Sequence, residues 1–306
     1  MDIKSYMEVK CPICNSSHTF LFKKFEKWTL FECSSDGFIF VYPLPSDQEI
    51  KDFYNSVEYF NSNSKNRKFG YKDYLKDRKI AERNDKNILS KIKKWFPAPN
   101  SLSGLSKQKL LDIGASHGFF MENIRKYGFD VFGNDLSEQA VNYAKKQNLN
   151  VRLGNTKEQN YPSNYFDAIT ILGVIEHFRN INDEMAEIKR ILNPGGLLVI
   201  QTLSTSNFVG RGAIKPPEHL IYFNEKNMTD FLSSMGFSVL ETKTLITYYG
   251  LEDFISRALG RIFNNRNSKL INAAENTLVK LVSYLGLKNA SIPFFDGQFL
   301  IVAKKQ

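Results

Sequence analysis

Apolar and polar positions keep different rhythms in different parts of this chain, and the changes of rhythm divide it. From Thr19 to Phe31 apolar and polar residues alternate, the period of half-buried strands, and Phe38-Ile-Phe-Val-Tyr42 follows as a short apolar run. Ser46 or Asp47 is placed to cap a helix running through Glu49-Ile50 and Phe53-Tyr54. From Lys76 to Trp95, Ile80, Ile88, Ile92 and Trp95 recur as a partial apolar face on a lysine-rich helix. Pro97-Ala-Pro99-Asn-Ser-Leu-Ser-Gly104 reads as a linker. Strand-like runs then fall near 109–114, 130–135, 151–154, 165–172 and 196–203, with helical stretches near 118–127, 137–147 and 180–192 between them. That alternation is what a parallel sheet covered by helices requires. Pro194-Gly195-Gly196 stops the last of these helices, Phe237 to Leu245 reads as a sixth strand, and Gly297 to Ala303 as the terminal one.

The pattern predicts an α/β fold in three parts. Residues 1–45 form a small β segment, 46–104 a helical segment with its linker, and 105–306 the main domain. The main domain carries a loop at 204–223, beyond the carboxyl end of a core strand where open α/β sheets hold ligands, and a helical insertion at 246–293. Within that insertion, Leu251, Phe254, Ile255, Leu259 and Ile262, then Ile271, Ala274, Leu278, Leu281 and Leu285, form two helical stripes expected to pack.

Composition narrows the class. The 306 residues are 42% hydrophobic and 24% charged, enough for a sizeable core, with no apolar run long enough to span a bilayer. The first ten residues lack the apolar centre of a signal peptide, so a cytoplasmic location is expected. The net charge of +9 is uneven: residues 1–108 carry 19 basic against 13 acidic groups, 109–203 carry 10 against 11, and 204–306 carry 12 against 8. Basic flanks around a neutral centre suit an anionic small molecule or nucleic acid, and equally a solvated lysine-rich surface.

Candidate chemistry concentrates in Lys109-Leu-Leu-Asp-Ile-Gly-Ala-Ser-His-Gly118, a strand running through a glycine turn into a helix. Asp135 lies 21 positions after Gly114, at the end of the next strand, where a carboxylate can take both hydroxyls of a ribose. Only two glycines occur where a pyrophosphate cradle needs three, which argues against a dinucleotide. Together with Gly133-Asn-Asp135-Leu-Ser137, Phe166-Asp167, Glu176-His177 and Leu192-Asn-Pro194-Gly195-Gly196, the segment resembles the class I S-adenosylmethionine-dependent methyltransferases over residues 109–205. The resemblance implies a Rossmann-like seven-stranded sheet with its last strand antiparallel. It implies that Asp112, Gly114, Ala115 and Gly118 surround the methionine portion of the cofactor, Asp135 the ribose, Leu136 with Asn155 or Thr156 the adenine, and Leu172 with Gly173 the sulfonium. The amino-terminal segment is similar to that of bacterial small-molecule and sugar methyltransferases, which implies that Tyr59 or Tyr71 folds over the cofactor or acceptor.

Three cysteines stand before residue 34. Cys11-Pro-Ile-Cys14 and Cys33-Ser-Ser-Asp36, joined by a hairpin, have zinc-ribbon spacing with Asp36 in place of a fourth cysteine and His18 as a less regular substitute. The alternative is a ribbon without metal, held by packing among Phe20, Phe22, Phe31, Phe38 and Phe40. For a hydroxyl acceptor a base is useful, and His219, in the loop after the fifth strand, is the first candidate, with His177 second. The leading reading is a methyltransferase for a small molecule, a sugar or a nucleotide- or phosphate-linked metabolite. An RNA methyltransferase and a non-catalytic cofactor-binding protein are the alternatives. The residues after the fourth strand, Leu172-Gly-Val-Ile175, carry no Asn/Asp-Pro-Pro-aromatic motif, which argues against nucleic acid.

Overall fold

The computed structural model describes residues 9–25, 27–55, 78–96, 107–207, 214–252, 254–255, 259, 269–287 and 290–306. Its centre is a seven-stranded sheet. In chain order the strands are β4 (Lys109–Ile113), β5 (Asp130–Asp135), β6 (Asn150–Leu153), β7 (Phe166–Leu172), β8 (Leu192–Leu203), β10 (Phe237–Thr244) and β13 (Gln298–Lys305). They lie in the order β10-β13-β8-β7-β4-β5-β6. Strands β8 to β6 run parallel, while β13 is antiparallel to both of its neighbours. The sheet is the Rossmann-like one implied by the sequence resemblance.

Adjacent residues explain the burial. Leu111, Ile113, Ile169, Ile171, Leu198 and Ile200 pack on one face, whereas Leu110, Ala168, Leu197 and Val199 pack on the other. Both faces are therefore covered, which is why these strands read as apolar runs rather than alternations. The first face is covered by α5 (Ile181–Ile191), through Ile181, Met185 and Ile188. The second is covered by α2 (Arg78–Trp95), α3 (Phe119–Arg125) and α4 (Glu138–Lys146). Glu241 on β10 fastens the end of α2, accepting bonds from Lys91, from Lys94 Nζ at 3.1 Å and from Trp95 Nε1 at 3.0 Å.

β8 begins at Leu192, four residues before the expected start. Phe166 pairs with Leu192 and Ala168 with Leu197, so Asn193 to Gly196 bulge out of the ladder with Gly195 at φ +72°.

The amino-terminal segment is a three-stranded antiparallel ribbon of β1 (Thr19–Phe25), β2 (Trp28–Cys33) and β3 (Ile39–Tyr42), followed by α1 (Asp47–Asn55). A fourth strand, β9 (Ile221–Tyr222), comes from the 204–223 loop and pairs with β3. The ribbon also donates Phe38, fully buried edge-on to Phe223 and Phe231, the latter from α6 (Glu225–Ser234). Asn182 Nδ2 donates to the carbonyls of Pro12 and Ile13, and Asn227 Nδ2 to that of Gly37. The ribbon thus shares a core with the large domain. Phe38→Ala is expected to cost about 3–5 kcal/mol in urea unfolding; a loss below about 1 kcal/mol would mean that the ribbon unfolds independently.

The 246–293 region contains a two-stranded antiparallel ladder absent from the sequence reading, β11 (Thr247–Gly250) with β12 (Ser291–Phe294). Asn84 of α2 brackets Tyr248, giving Nδ2–H to its carbonyl and accepting its N–H. In α7 (Lys269–Tyr284) the expected packing stripe is not buried among the described residues: Ala274, Leu278, Leu281 and, just past the helix, Leu285 are exposed, and the residue that is buried is Val282, off that stripe. Among the described residues, no helix is long and apolar enough to cross a membrane.

Candidate active site

The glycine turn after β4 is held by its neighbour strand. Gly114 and Ala115 donate their N–H groups to the carbonyl of Asn134, at 2.9 and 3.0 Å. Gly114 sits at φ +73°, and a Cβ there would meet Val174 Cγ2 at 2.3 Å. Gly118, at φ +80°, opens α3 and would strike Leu149. Both glycines are therefore required by packing as well as by turn geometry. Asp135 braces the same turn: its Oδ2 accepts Ser116 N–H and its Oδ1 accepts Ser137 N–H, both at 2.8 Å.

Three carboxylates crowd this turn. Asp112 is buried, accepts Thr170 Oγ1 at 2.6 Å, and is pushed up to about 7 by burial, with the nearby Asp85 and Asp135 adding to the rise. Asp85 on α2, pushed up to about 6 by burial, accepts Asn123 Nδ2 at 2.8 Å. Burial also raises Asp135, against the N–H groups of Ser137, Ser116 and Leu136. Mutually repelling carboxylates in a desolvated turn are complementary to a positively charged ligand, such as one bearing a sulfonium and an ammonium. Asp85 was not singled out from the sequence. Its signal was a charge on the buried face of a helix, in register with Ile88, Leu89 and Ile92.

The remaining cofactor candidates lie along the same sheet edge. Gly173, at φ +67° after β7, has nothing within 4 Å of where a Cβ would stand, and Leu172 beside it is half-buried. Past β6, the Thr156 hydroxyl is buried without a hydrogen-bond partner among the described residues. Just before the short turn at 157–159, Asn155 Oδ1 accepts Glu158 N–H at 2.9 Å. Leu136 is half-buried. The open space, the orphaned hydroxyl and the anionic turn all fit S-adenosylmethionine. Tyr59 and Tyr71 fall outside the described residues, as do 208–213 of the 204–223 loop. His117 is buried against Phe119 and Tyr143 and pushed down to about 4 by burial, so it lines the turn as a neutral side chain.

A second cluster forms where the β7 exit meets the 204–223 loop. Leu220 N–H donates to the Glu176 carbonyl at 2.8 Å and draws the two segments together. The rings of His177 and His219 then meet edge to face, centroids 4.9 Å apart. His177 Nδ1 lies 2.5 Å from the Glu218 carbonyl and 2.7 Å from the Tyr54 hydroxyl. A carbonyl only accepts, so Nδ1 carries the proton and Nε2 is left as the basic nitrogen. His219 is buried, and burial with the nearby His177 and Lys215 holds it well below its ordinary value. Beside these rings is a cavity of about 110 Å³, lined by Trp28, Ile50, Phe53, Tyr54, His177 and Glu218 among others. His177, the second candidate from the sequence, lines this cleft, whereas His219 packs behind it. Trp28, Tyr54 and Glu218 were missed because strands and loops far apart in sequence bring them here.

The cysteine set comes together as spaced. One donor atom from each of Cys11, Cys14, Cys33 and Asp36 lies within 4.8 Å of the others, and His18 is not in the cluster. Cys11 Sγ lies 3.2 Å from Asp36 Oδ2, and Cys14 Sγ 3.6 Å from Cys33 Sγ.

Residues 78–242 match the family described as a methyltransferase domain. The chain belongs to that family. This methyltransferase is 25% identical over 203 residues to a ubiquinone biosynthesis O-methyltransferase of Rickettsia bellii, covering 65% of the chain and 80% of the relative. It is 28% identical over 156 residues to a probable S-adenosylmethionine-dependent methyltransferase of Mycolicibacterium smegmatis, covering 50% and 61%. Among solved structures, the [4+2]-cyclase SpnF superposes with a TM-score of 0.52 at 16% identity, over 86% of this chain and 98% of that one, a likeness of fold. The family match and the methyltransferase relatives support S-adenosylmethionine dependence, and the anionic glycine turn fits that cofactor's positive charge.

Proposed function

We propose that this methyltransferase transfers a methyl group to a hydroxyl of a small molecule held in the cleft at Trp28, Tyr54 and His177. The observation that carries the reading is His177, set at the cleft with its Nδ1 proton engaged and Nε2 free to act on an acceptor. S-adenosylmethionine supplies a methyl group already activated on a sulfonium. What the chain supplies is position: Asp135 and the glycine turn orient the ribose, Asp112 and Asp85 face the positive end, and Thr156 takes the adenine edge. Alignment of this kind is worth several kcal/mol of barrier. The similarity to ubiquinone biosynthesis O-methyltransferases supports an oxygen acceptor, and the sequence resemblance to sugar-type enzymes supports a sugar or nucleotide-linked metabolite by analogy. His177→Ala is expected to lower kcat about 100-fold or more in a labelled-methyl transfer assay over a panel of hydroxylated acceptors, with cofactor affinity unchanged. Unchanged kcat would move the acceptor site elsewhere.

We also propose that Cys11, Cys14, Cys33 and Asp36 hold a structural zinc ion. Support comes from the donor cluster and from Ile13 N–H, which points at Cys11 Sγ at 3.4 Å. Burial pushes the Cys11 thiol far up, a cost that a bound cation removes by stabilising the thiolate. Elemental analysis is expected to give one zinc per chain, lost in Cys11→Ser together with several degrees of Tm. Metal-free wild type that unfolds at the same temperature would retire the site.

A further inference from the structure

We propose that Tyr54 is a positioning residue for His177: its hydroxyl oxygen takes a share of the Nδ1 proton, fixes the ring, and stabilises it once Nε2 has taken the acceptor's proton. The inference rests on the acceptor reading above and specifies how its base is held.

The fold places Tyr54 from both ends of α1. Ser46 and Glu49 close the start of the helix reciprocally, Ser46 N–H reaching Glu49 Oε2 at 2.7 Å and Glu49 N–H reaching Ser46 Oγ at 3.2 Å. Just before them, the Pro45 carbonyl accepts Nε–H of Arg179, two residues past His177, at 2.9 Å. At the far end, Phe53 and Tyr54 pack on the fully buried Ala140 of α4, and Asn55 Oδ1 accepts Glu138 N–H at 3.1 Å. α1 is therefore tied both to the segment that carries His177 and to the helix that follows Asp135.

The side chain so placed meets His177 in two ways. The rings stand edge to face with centroids 5.9 Å apart, and the hydroxyl oxygen lies 2.7 Å from Nδ1. The Glu218 carbonyl, 2.5 Å from the same nitrogen, requires a proton there, so the tyrosine oxygen accepts a share of that proton. Phenylalanine would serve for packing alone. The hydroxyl adds a second lone pair on the donor nitrogen of a general base, the place where a third group orients the base in a nucleophilic triad. Here two uncharged oxygens, one from α1 and one from the 204–223 loop, take that place.

Their effect is larger on the charged ring than on the neutral one, because hydrogen bonds from an ionised donor are about twice as strong. The acceptor hydroxyl gives its proton to Nε2 as its oxygen bonds to the methyl carbon and the carbon–sulfur electron pair passes to sulfur. The Nδ1 proton stays in place, and the Nε2 proton leaves to water before the next turnover. Glu176 and Asp135 act on the ring through charge, and His219 stands edge-on to it with Lys215 nearby, bridged to Glu218 at 3.2 Å. Tyr54 and the Glu218 carbonyl are the groups at hydrogen-bond distance from Nδ1.

The test needs no acceptor. Nitrogen-15 labelling of the histidines in the full chain gives four ring systems to follow by magnetic resonance, and His177→Ala identifies those of His177. In wild type the neutral ring is expected to carry its proton on Nδ1. In Tyr54→Phe, which keeps the ring and drops the oxygen, the titration midpoint of His177 should fall by about one pH unit, a tenfold loss of proton affinity, because the charged form loses a hydrogen bond. Tyr54→Leu should shift it in the same direction. Thermal unfolding and calorimetry with S-adenosylhomocysteine identify the variants that have folded. An unmoved midpoint in either folded variant would overturn the pairing and leave the acceptor reading standing. A neutral wild-type ring protonated on Nε2 would overturn both. Full methyl transfer by His177→Ala would overturn the acceptor reading while the pairing stood.

Discussion

Asp135→Ala is expected to abolish measurable S-adenosylmethionine binding in calorimetry, weakening it at least about 100-fold. Asp135 braces the glycine turn through Ser116 and the start of α4 through Ser137. With both oxygens fixed by backbone N–H groups, its remaining lone pairs are aimed by the main chain rather than by a free side-chain torsion. Two charge-assisted hydrogen bonds to a ribose, at about 1.5–3 kcal/mol each, set the size of the loss. Asp135→Asn keeps an acceptor oxygen and should lose less, because the amide can still hold one of the two N–H groups. Wild-type affinity in the alanine variant would remove Asp135 from the cofactor site.

A second large effect concerns Asp112 and has opposite signs for stability and binding. Its folded-state pKa is raised from 3.8 to about 7, mainly by burial. The folded protein therefore holds this proton more tightly than the unfolded chain does between those values. Stability from this group is fully present below about pH 4, falls as pH rises through 7, and is flat above. At about 1.4 kcal/mol per pH unit, the displacement caps the loss at about 4 kcal/mol. Asp112→Asn keeps an acceptor for the Thr170 hydroxyl at 2.6 Å and removes the buried charge. Cofactor-free Asp112→Asn should therefore be more stable than wild type at pH 8, by a few kcal/mol in urea unfolding, with the difference shrinking to about 1 kcal/mol at pH 4.5 and vanishing near pH 3. The same substitution should weaken the cofactor and abolish the strengthening of its binding between pH 6 and 8. A variant no more stable than wild type at pH 8 would mean that Asp112 is not strained by its burial.

The trade-off fits the arrangement around the turn, where Asp85, Asp112 and Asp135 each sit above their ordinary values. Such a turn stores unfavourable charge until a cation arrives, which makes ligand affinity and apo stability opposing quantities.

Local pattern carried the central sheet well. β4, β7 and β13 are apolar runs because both faces are covered, and Gly114 and Gly118 announce a turn that no larger residue could make. The cysteine spacing also survived folding, since a hairpin suffices to bring Cys33 and Asp36 to Cys11 and Cys14. What was illegible depends on pairing between distant segments. β9 is two residues long and meets β3 across some 180 positions, so it leaves no period to detect. The same crossing brings Trp28 and Tyr54 to His177, and residues 217–220 close the cleft from the other side. Asp85 was hidden for a different reason: a charge on a lysine-rich helix looks solvated until the helix face is known.

The most direct test is hydrogen–deuterium exchange with and without S-adenosylhomocysteine, the stable demethylated product. The account predicts protection confined to backbone at 112–118, 134–137, 154–157 and 172–174, with the 217–220 segment and α1 unchanged until an acceptor is added. Protection absent from the glycine turn and the end of β5, or appearing first in the cleft at Tyr54 and Glu218, would contradict it.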